Sequence, residues 1–201
     1  GNFSFEQQMP IDFSDPAENF LSFLGSSFSF NTDPEDSAND VGQFSNSSSN
    51  RWEGFYLDLS RAIDLDFQNT VSLSFYSFDT NAHTVLLKLE NGVNPDVEVT
   101  QSISSGSGWS NNVVFDFSQA VLSSDGVTPV NATGEYNRLV LFIDGGVFSG
   151  GTYFIDNIDD GSTEIDIPEV DVEYTNLVWE DQFDTPGVVD PSKWHHQTQV
   201  I

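Results

Sequence analysis

The sequence predicts an all-β protein: an antiparallel β-sandwich, jelly-roll-like, with little or no helix. Three observations predict it. Apolar and polar residues alternate with period two in segment after segment between about residues 50 and 160. These segments are β-branched and aromatic, and clusters of Gly, Asn, Asp and Ser separate them. Eighteen phenylalanines are available to fill the space between two sheets.

The elements follow in order. Residues 25–50, "GSSFSFNTDPEDSANDVGQFSNSSSN", read as a polar, loop-rich stretch interrupted by brief strands. "GFYLDL" sends Phe55, Leu57 and Leu59 to one side and Trp52, Gly54, Tyr56 and Asp58 to the other. "TVSLSFYSF" buries Val71, Leu73 and Phe75 and turns Ser72, Ser74, Tyr76 and Phe78 outward. "TVLLKLE" buries Val85, Leu87 and Leu89 and leaves Lys88 and Glu90 opposite them. Ahead of "NVVFDFS", after the Gly-rich "SSGSG", Trp109 shares parity with Val113, Phe115 and Phe117, so it faces the core at the strand entrance or lies on the rim of a site. "SQAVLSS" supports at most one or two helical turns. "RLVLFID" and "TYFIDNI" close the pattern. The acidic stretch "DGSTEIDIPEVDVEYTN" after Asp160 reads as a linker, with an edge strand over "TEIDIPEVDVEY" as the alternative.

Composition excludes several functions. With 32 acidic and 5 basic residues the net charge is −27, which leaves no basic cluster for nucleic acid or an anionic membrane surface. No run is apolar enough to span a bilayer as a helix. There are no cysteines, so disulfides and thiol chemistry are absent, and the three histidines, His83, His195 and His196, offer little for catalysis or zinc. No pair of carboxylates stands out as glycosidase machinery, and His83 carries no supporting motif. A first residue of Gly1 is the expectation for a processed or excised piece.

An exposed tryptophan and tyrosine with a glycine between them suit the apolar face of a sugar ring. Trp52, Tyr56, Tyr76, Lys88 and Glu90 together read as a glycan platform, with Trp109 as a rim candidate. Alternatively, Trp52 and Tyr56 lie under the 25–50 loop as a satellite core. Asp156, in an apolar closing strand, must be paired, hydrogen-bonded or bound to metal. Calcium is the metal that the hard oxygen ligands suggest, with Asp12, Asp15 or Glu6 of the N-terminal strand as partners.

In this order, "MPIDFSD", "NTDPEDSANDVGQF", "RWEGFYLDL", "TVLLKLENG", "GWSNNVVFDFS", "YNRLVLFIDGG" and "GTYFIDNI" resemble a carbohydrate-binding module similar to family 4, common in Bacteroidetes glycan-degrading proteins. The likeness spans roughly residues 10–160. It implies a β-sandwich that binds soluble glucan chains, a structural calcium, and a secreted or cell-surface location. Where that family often has Phe-Glu-Asp this chain has Phe13-Ser14-Asp15, so Asp15 or Asp12 would supply the calcium carboxylate. "LVWEDQFD" and "DPSKWHHQTQ", with Trp179 and Trp194, look like the first strand region of a laminarinase-like glycoside hydrolase of family 16. In that family the catalytic Glu-x-Asp-x-x-Glu strand lies far downstream of this region, whereas the one such spacing in this sequence, Glu164 to Glu169, precedes it.

The expected organisation is therefore a binding module over 1–160, an acidic linker over 161–176, and the start of a hydrolase domain over 177–201. The ligand that the resemblance implies is laminarin, a β-1,3-glucan, bound without turnover and brought to the attached hydrolase. A cell-surface adhesion sandwich and a hydrolase in its own right are the competing classes.

Overall fold

The computed structural model describes residues 7–163. The chain divides into two units, Gly1–Ile167 and Pro168–Ile201. From residue 164 onward the expected linker, its edge-strand alternative and the laminarinase-like segment lie outside the described residues.

Among the described residues eleven strands carry the fold. The first six are β1 (Leu21–Phe23), β2 (Ser27–Thr32), β3 (Asp40–Ser47), β4 (Gly54–Asp64), β5 (Thr70–Ser77) and β6 (His83–Glu90). The rest are β7 (Val97–Ile103), β8 (Gly108–Asp116), β9 (Val121–Leu122), β10 (Glu135–Ile143) and β11 (Gly150–Asp159). One sheet has six strands in the order β1-β4-β10-β6-β7-β9, the other five in the order β2-β3-β11-β5-β8, and every pairing is antiparallel. The sandwich that the alternation predicts is thus present. Two stretches were under-read. The 25–50 region holds two full strands, β2 and β3, and "VEVTQSI" forms β7. The weak helical signal over 118–124 resolves into a single 3₁₀ turn, Phe117–Gln119, and the two-residue β9.

The inward residues named by parity are the core. Phe55, Leu57 and Leu59 on β4, Val71, Leu73 and Phe75 on β5, and Val85, Leu87 and Leu89 on β6 are all buried. Aromatic rings knit the two layers together. Phe44 on β3 meets Phe55 on β4 edge-to-face at 4.9 Å, and Phe20 and Phe28 close on Phe44 at 5.1 and 5.0 Å. Because each sheet spends one face on this core, each has one face left over, and function must be sought on those two.

Candidate functional site

The outer face of the six-stranded sheet is ordered by register into transverse rows. Asp58, Arg138 and Glu90 lie side by side across β4, β10 and β6. The next row runs Tyr56, Val140, Lys88, Glu98 across β4, β10, β6 and β7. The polar groups are paired. Arg138 forks onto Asp58 at 2.7 and 3.1 Å and comes within 3.8 Å of Glu90, while Lys88 reaches Glu90 at 2.7 Å and Asp96 at 3.0 Å. Burial works against the Lys88 charge, but Glu90 and Asp96 outweigh it and hold its ammonium above the usual lysine range.

Trp52 stands at the end of this face, in the turn before β4, and is 47% exposed. Its position is built by Glu53. That buried carboxylate accepts hydrogen bonds from the backbone N–H of Ser47, Ser49 and Asn50 and from the hydroxyls of Ser47 and Ser49. Burial alone would raise the Glu53 pKa, but these donors hold it below the ordinary carboxylate value. Asn50 Oδ1 then accepts from the Trp52 N–H at 2.9 Å. Below the indole lie Gly145 and Gly146, and the Gly146 N–H donates to Arg51 O at 2.8 Å. A Cβ on Gly145 would lie 2.8 Å from the indole, so the close seat depends on glycine there.

The sequence reading left the space over Gly54 for a sugar ring. The structure corrects this, because the chain's own rings fill that space. A Cβ at Gly54 would lie 2.5 Å from Phe23 and 2.7 Å from Phe142. Phe142 meets Trp52 edge-to-face at 5.5 Å and Phe23 at 5.8 Å. Tyr56 is half-buried, with Phe23 at 6.3 Å and the Arg138 guanidinium 4.5 Å above its ring. The apolar strip is therefore Trp52–Phe142–Phe23–Tyr56, rather than two rings with a gap. Gly54→Ala is expected to lower stability by about 1–3 kcal/mol through this overpacking, read as an earlier thermal melt.

Two clefts border the strip. One, of about 340 Å³, is lined by Trp52 and Phe142, by Lys88 and Glu98, and by the 123–126 turn. The other, of about 290 Å³, lies by Asp58, Glu90 and Arg138. The expected residues Trp52, Tyr56, Lys88 and Glu90 are brought together. Phe142, Arg138, Asp58 and Glu98 join them, and the outward parity of "RLVLFID" already carried the signal for Phe142 and Arg138. Phe23, on a three-residue strand, had no such signal.

Tyr76 and Trp109 are not part of this surface. They lie on β5 and β8, in the other sheet, and their rings meet on its outer face at 5.2 Å. Parity had also turned Trp109 inward. An extra β8 residue between the Leu73–Val113 and Phe75–Ser110 pairs reverses its side.

The three expected metal ligands are not gathered into a cage. Asp15 accepts from the Ala17 N–H at 2.7 Å and Asp12 from the Ser14 N–H at 3.0 Å, each closing its own turn. Asp156 is buried and accepts from Asn39 Nδ2 at 2.9 Å, the Asn157 N–H at 2.7 Å and Asn157 Nδ2 at 3.1 Å. Its pKa is nevertheless raised, first by burial and then by the charges of Asp12 and Asp33. Among the described residues no group of three or more His, Asp or Glu side chains is set to hold an ion. Sequence reasoning passed over Glu18. It is buried, its Oε2 has no hydrogen-bond partner among the described residues, and its pKa is pushed up to about 8 by burial, by Asp12 and by Asp15.

No family model and no curated protein matches this chain. Solved structures do. The family 11 carbohydrate-binding module of the cellulosomal cellulase Lic26A-Cel5E of Clostridium thermocellum superposes with a TM-score of 0.53 at 17% identity, over 79% of this chain and 94% of that one. A family 11 module from Clostridium thermocellum, in complex with a β-1,3-1,4-mixed-linked tetrasaccharide, gives 0.52 at 16% identity, over 77% and 95% of the two chains. At such identity the likeness establishes the fold: this is the two-sheet β-sandwich of carbohydrate-binding modules.

Proposed function

We propose that the outer face of the six-stranded sheet binds a neutral β-1,3-glucan of the laminarin type without cleaving it. The observation that carries this is Trp52, seated on glycine, half exposed, and continued by Phe142 toward the charge-paired row of Asp58, Arg138, Glu90 and Lys88. The rings offer flat apolar contact and the row offers donors and acceptors for hydroxyls. Both cations on this face are already engaged by carboxylates, and a net charge of −27 repels a polyanion, so the chemistry favours an uncharged polymer. The mixed-linked tetrasaccharide bound to a module of the same fold supports a β-glucan with 1,3 linkages. In this reading the protein is secreted or displayed on a bacterial cell surface. The module over 1–160 and a linker over 161–176 precede a family 16 laminarinase-like hydrolase, which the module carries to its substrate.

Affinity electrophoresis in gels containing laminarin, lichenan, agarose or xylan tests the ligand. Retardation is expected in laminarin, and unchanged mobility there would overturn the assignment. Reducing ends released from any of the four by the chain itself would overturn binding without turnover.

The same proposal includes a structural calcium ion. No ready cage of carboxylates stands among the described residues, and what supports an ion is one buried oxygen, Oε2 of Glu18, without a hydrogen-bond partner there, with Asp12 close enough to act electrostatically on both Glu18 and Asp156. Glu18 and Asp12 are the side chains that would hold it, in place of the expected Asp15. The ion would relieve the repulsion among these carboxylates.

A further inference from the structure

The outer face of the five-stranded sheet carries groups that the glucan face does not use. Two bulges flank β5 at the same level. On one side β8 has an extra residue between the Leu73–Val113 and Phe75–Ser110 pairs, and on the other β11 has one between the Ser74–Asp156 and Ser72–Asp159 pairs. Each bulge holds an asparagine in the left-handed region, Asn112 at φ 55° and Asn157 at φ 52°. Bulges of this kind re-aim side chains, and asparagine tolerates the conformation at small cost. Asn111, Asn112 and Asn157 border, with Ser72, Ser74 and Asp159, a cleft of about 290 Å³. The side chains of Asn111 and Asn112 are exposed and make no hydrogen bond among the described residues.

Two residues further along β5 stands Tyr76, with Trp109 at 5.2 Å and Phe78 at 4.9 Å. Trp109 is held from behind, its Nε1 donating to Asp33 Oδ1 at 3.1 Å, and Phe78 is 53% exposed. Amide and hydroxyl groups beside aromatic rings match a pyranose, which has both a polar rim and an apolar face. Asp33, Asp156 and Asp159 on this side disfavour an anion.

We propose that this face is a second glycan-binding surface for a short neutral β-glucan segment. The asparagine cleft takes the hydroxyls, and Tyr76 and Phe78 form the apolar flank. The inference rests on the glucan reading of the opposite sheet for its choice of ligand. Two sites on opposite faces would let one module bridge two chains, or two parts of one chain, and raise avidity without new contacts.

The test is a titration of the isotope-labelled full chain with laminarihexaose, followed by its amide and indole NMR signals. Wild type, Trp52→Ala and Asn111→Ala are compared. Two groups of shifts are expected in wild type, one at Trp52 and one at the Asn111 and Asn112 side-chain amides. The second group should survive in Trp52→Ala. In Asn111→Ala it should weaken at least tenfold while the Trp52 signal responds as before. Shifts confined to the Trp52 face, or loss of both groups in Trp52→Ala, would overturn the second surface and leave the first standing. No shift on either face would overturn both. A response of the asparagine cleft to calcium alone, with none to the hexasaccharide, would make it a cation site and overturn the glycan assignment.

Discussion

With calcium chelated, Glu18→Gln is expected to be more stable than the wild type at pH 8, by roughly 4 kcal/mol, and no different below about pH 4.5. Burial and the neighbouring Asp12 and Asp15 raise the Glu18 pKa from its ordinary 4.5 to about 8 in the folded state. A group shifted that way contributes its stability fully below the unfolded value and loses it as pH rises through the folded one. Between pH 4.5 and 8 the folded chain must therefore keep a proton on Glu18 or bear a buried charge, and glutamine has neither need. Calcium should narrow the gap at pH 8 to roughly 1 kcal/mol. It would stabilise the wild type by about 2.7 kcal/mol at a hundredfold excess over its dissociation constant, while the variant has lost a ligand. His83 gives both proteins a shared background slope. Burial lowers its pKa, but Asp144 and Asp79, each at 2.8 Å, outweigh this and raise it, so its contribution also fades as pH rises beyond about 6.5. Denaturant melts at pH 4.5, 6.5 and 8, with chelator or calcium, separate these terms. Parallel curves for variant and wild type, indifferent to calcium, would remove both the strained carboxylate and the ion.

Trp52→Ala is expected to weaken laminarin binding about ten- to a hundredfold, on the scale of 1–3 kcal/mol for a lost aromatic stack. Its melting temperature should stay near that of the wild type, because the half-exposed indole rests on two glycines and the edge of Phe142. Tyr56→Ala should cost less affinity, since Arg138 already covers that ring. Calorimetric titration with laminarin, beside a melt of each variant, reads both quantities. A Trp52→Ala protein that melts early yet binds as before would make the indole a packing residue and move the binding face elsewhere.

The sandwich was legible because alternation survives wherever one face of a strand meets the core. Phe55, Val71, Leu73, Phe75, Val85 and Leu87 are buried where their parity put them. What parity cannot carry is a bulge. One extra residue in β8 moved Trp109 to the outer face, and one in β11 separated Asp156 from Ile158, which remains in the core. Sheet membership was equally hidden. Trp52 and Tyr76 share an outward parity, but pairing partners set by long-range contacts place β4 and β5 in different layers. The space over Gly54 was misjudged for a related reason, because Phe23 and Phe142 reach it from strands remote in sequence. Glu18 left no pattern at all. Its burial depends on the fold of the 11–20 segment rather than on any strand period.

A neutral β-glucan is proposed to lie on the rings of the six-stranded sheet. Intermolecular nuclear Overhauser effects between laminarihexaose and the full chain address it most directly. Contacts are expected from the sugar ring protons to the Trp52 indole and the Phe142 ring. Saturable laminarihexaose binding with no contact to either ring would contradict it.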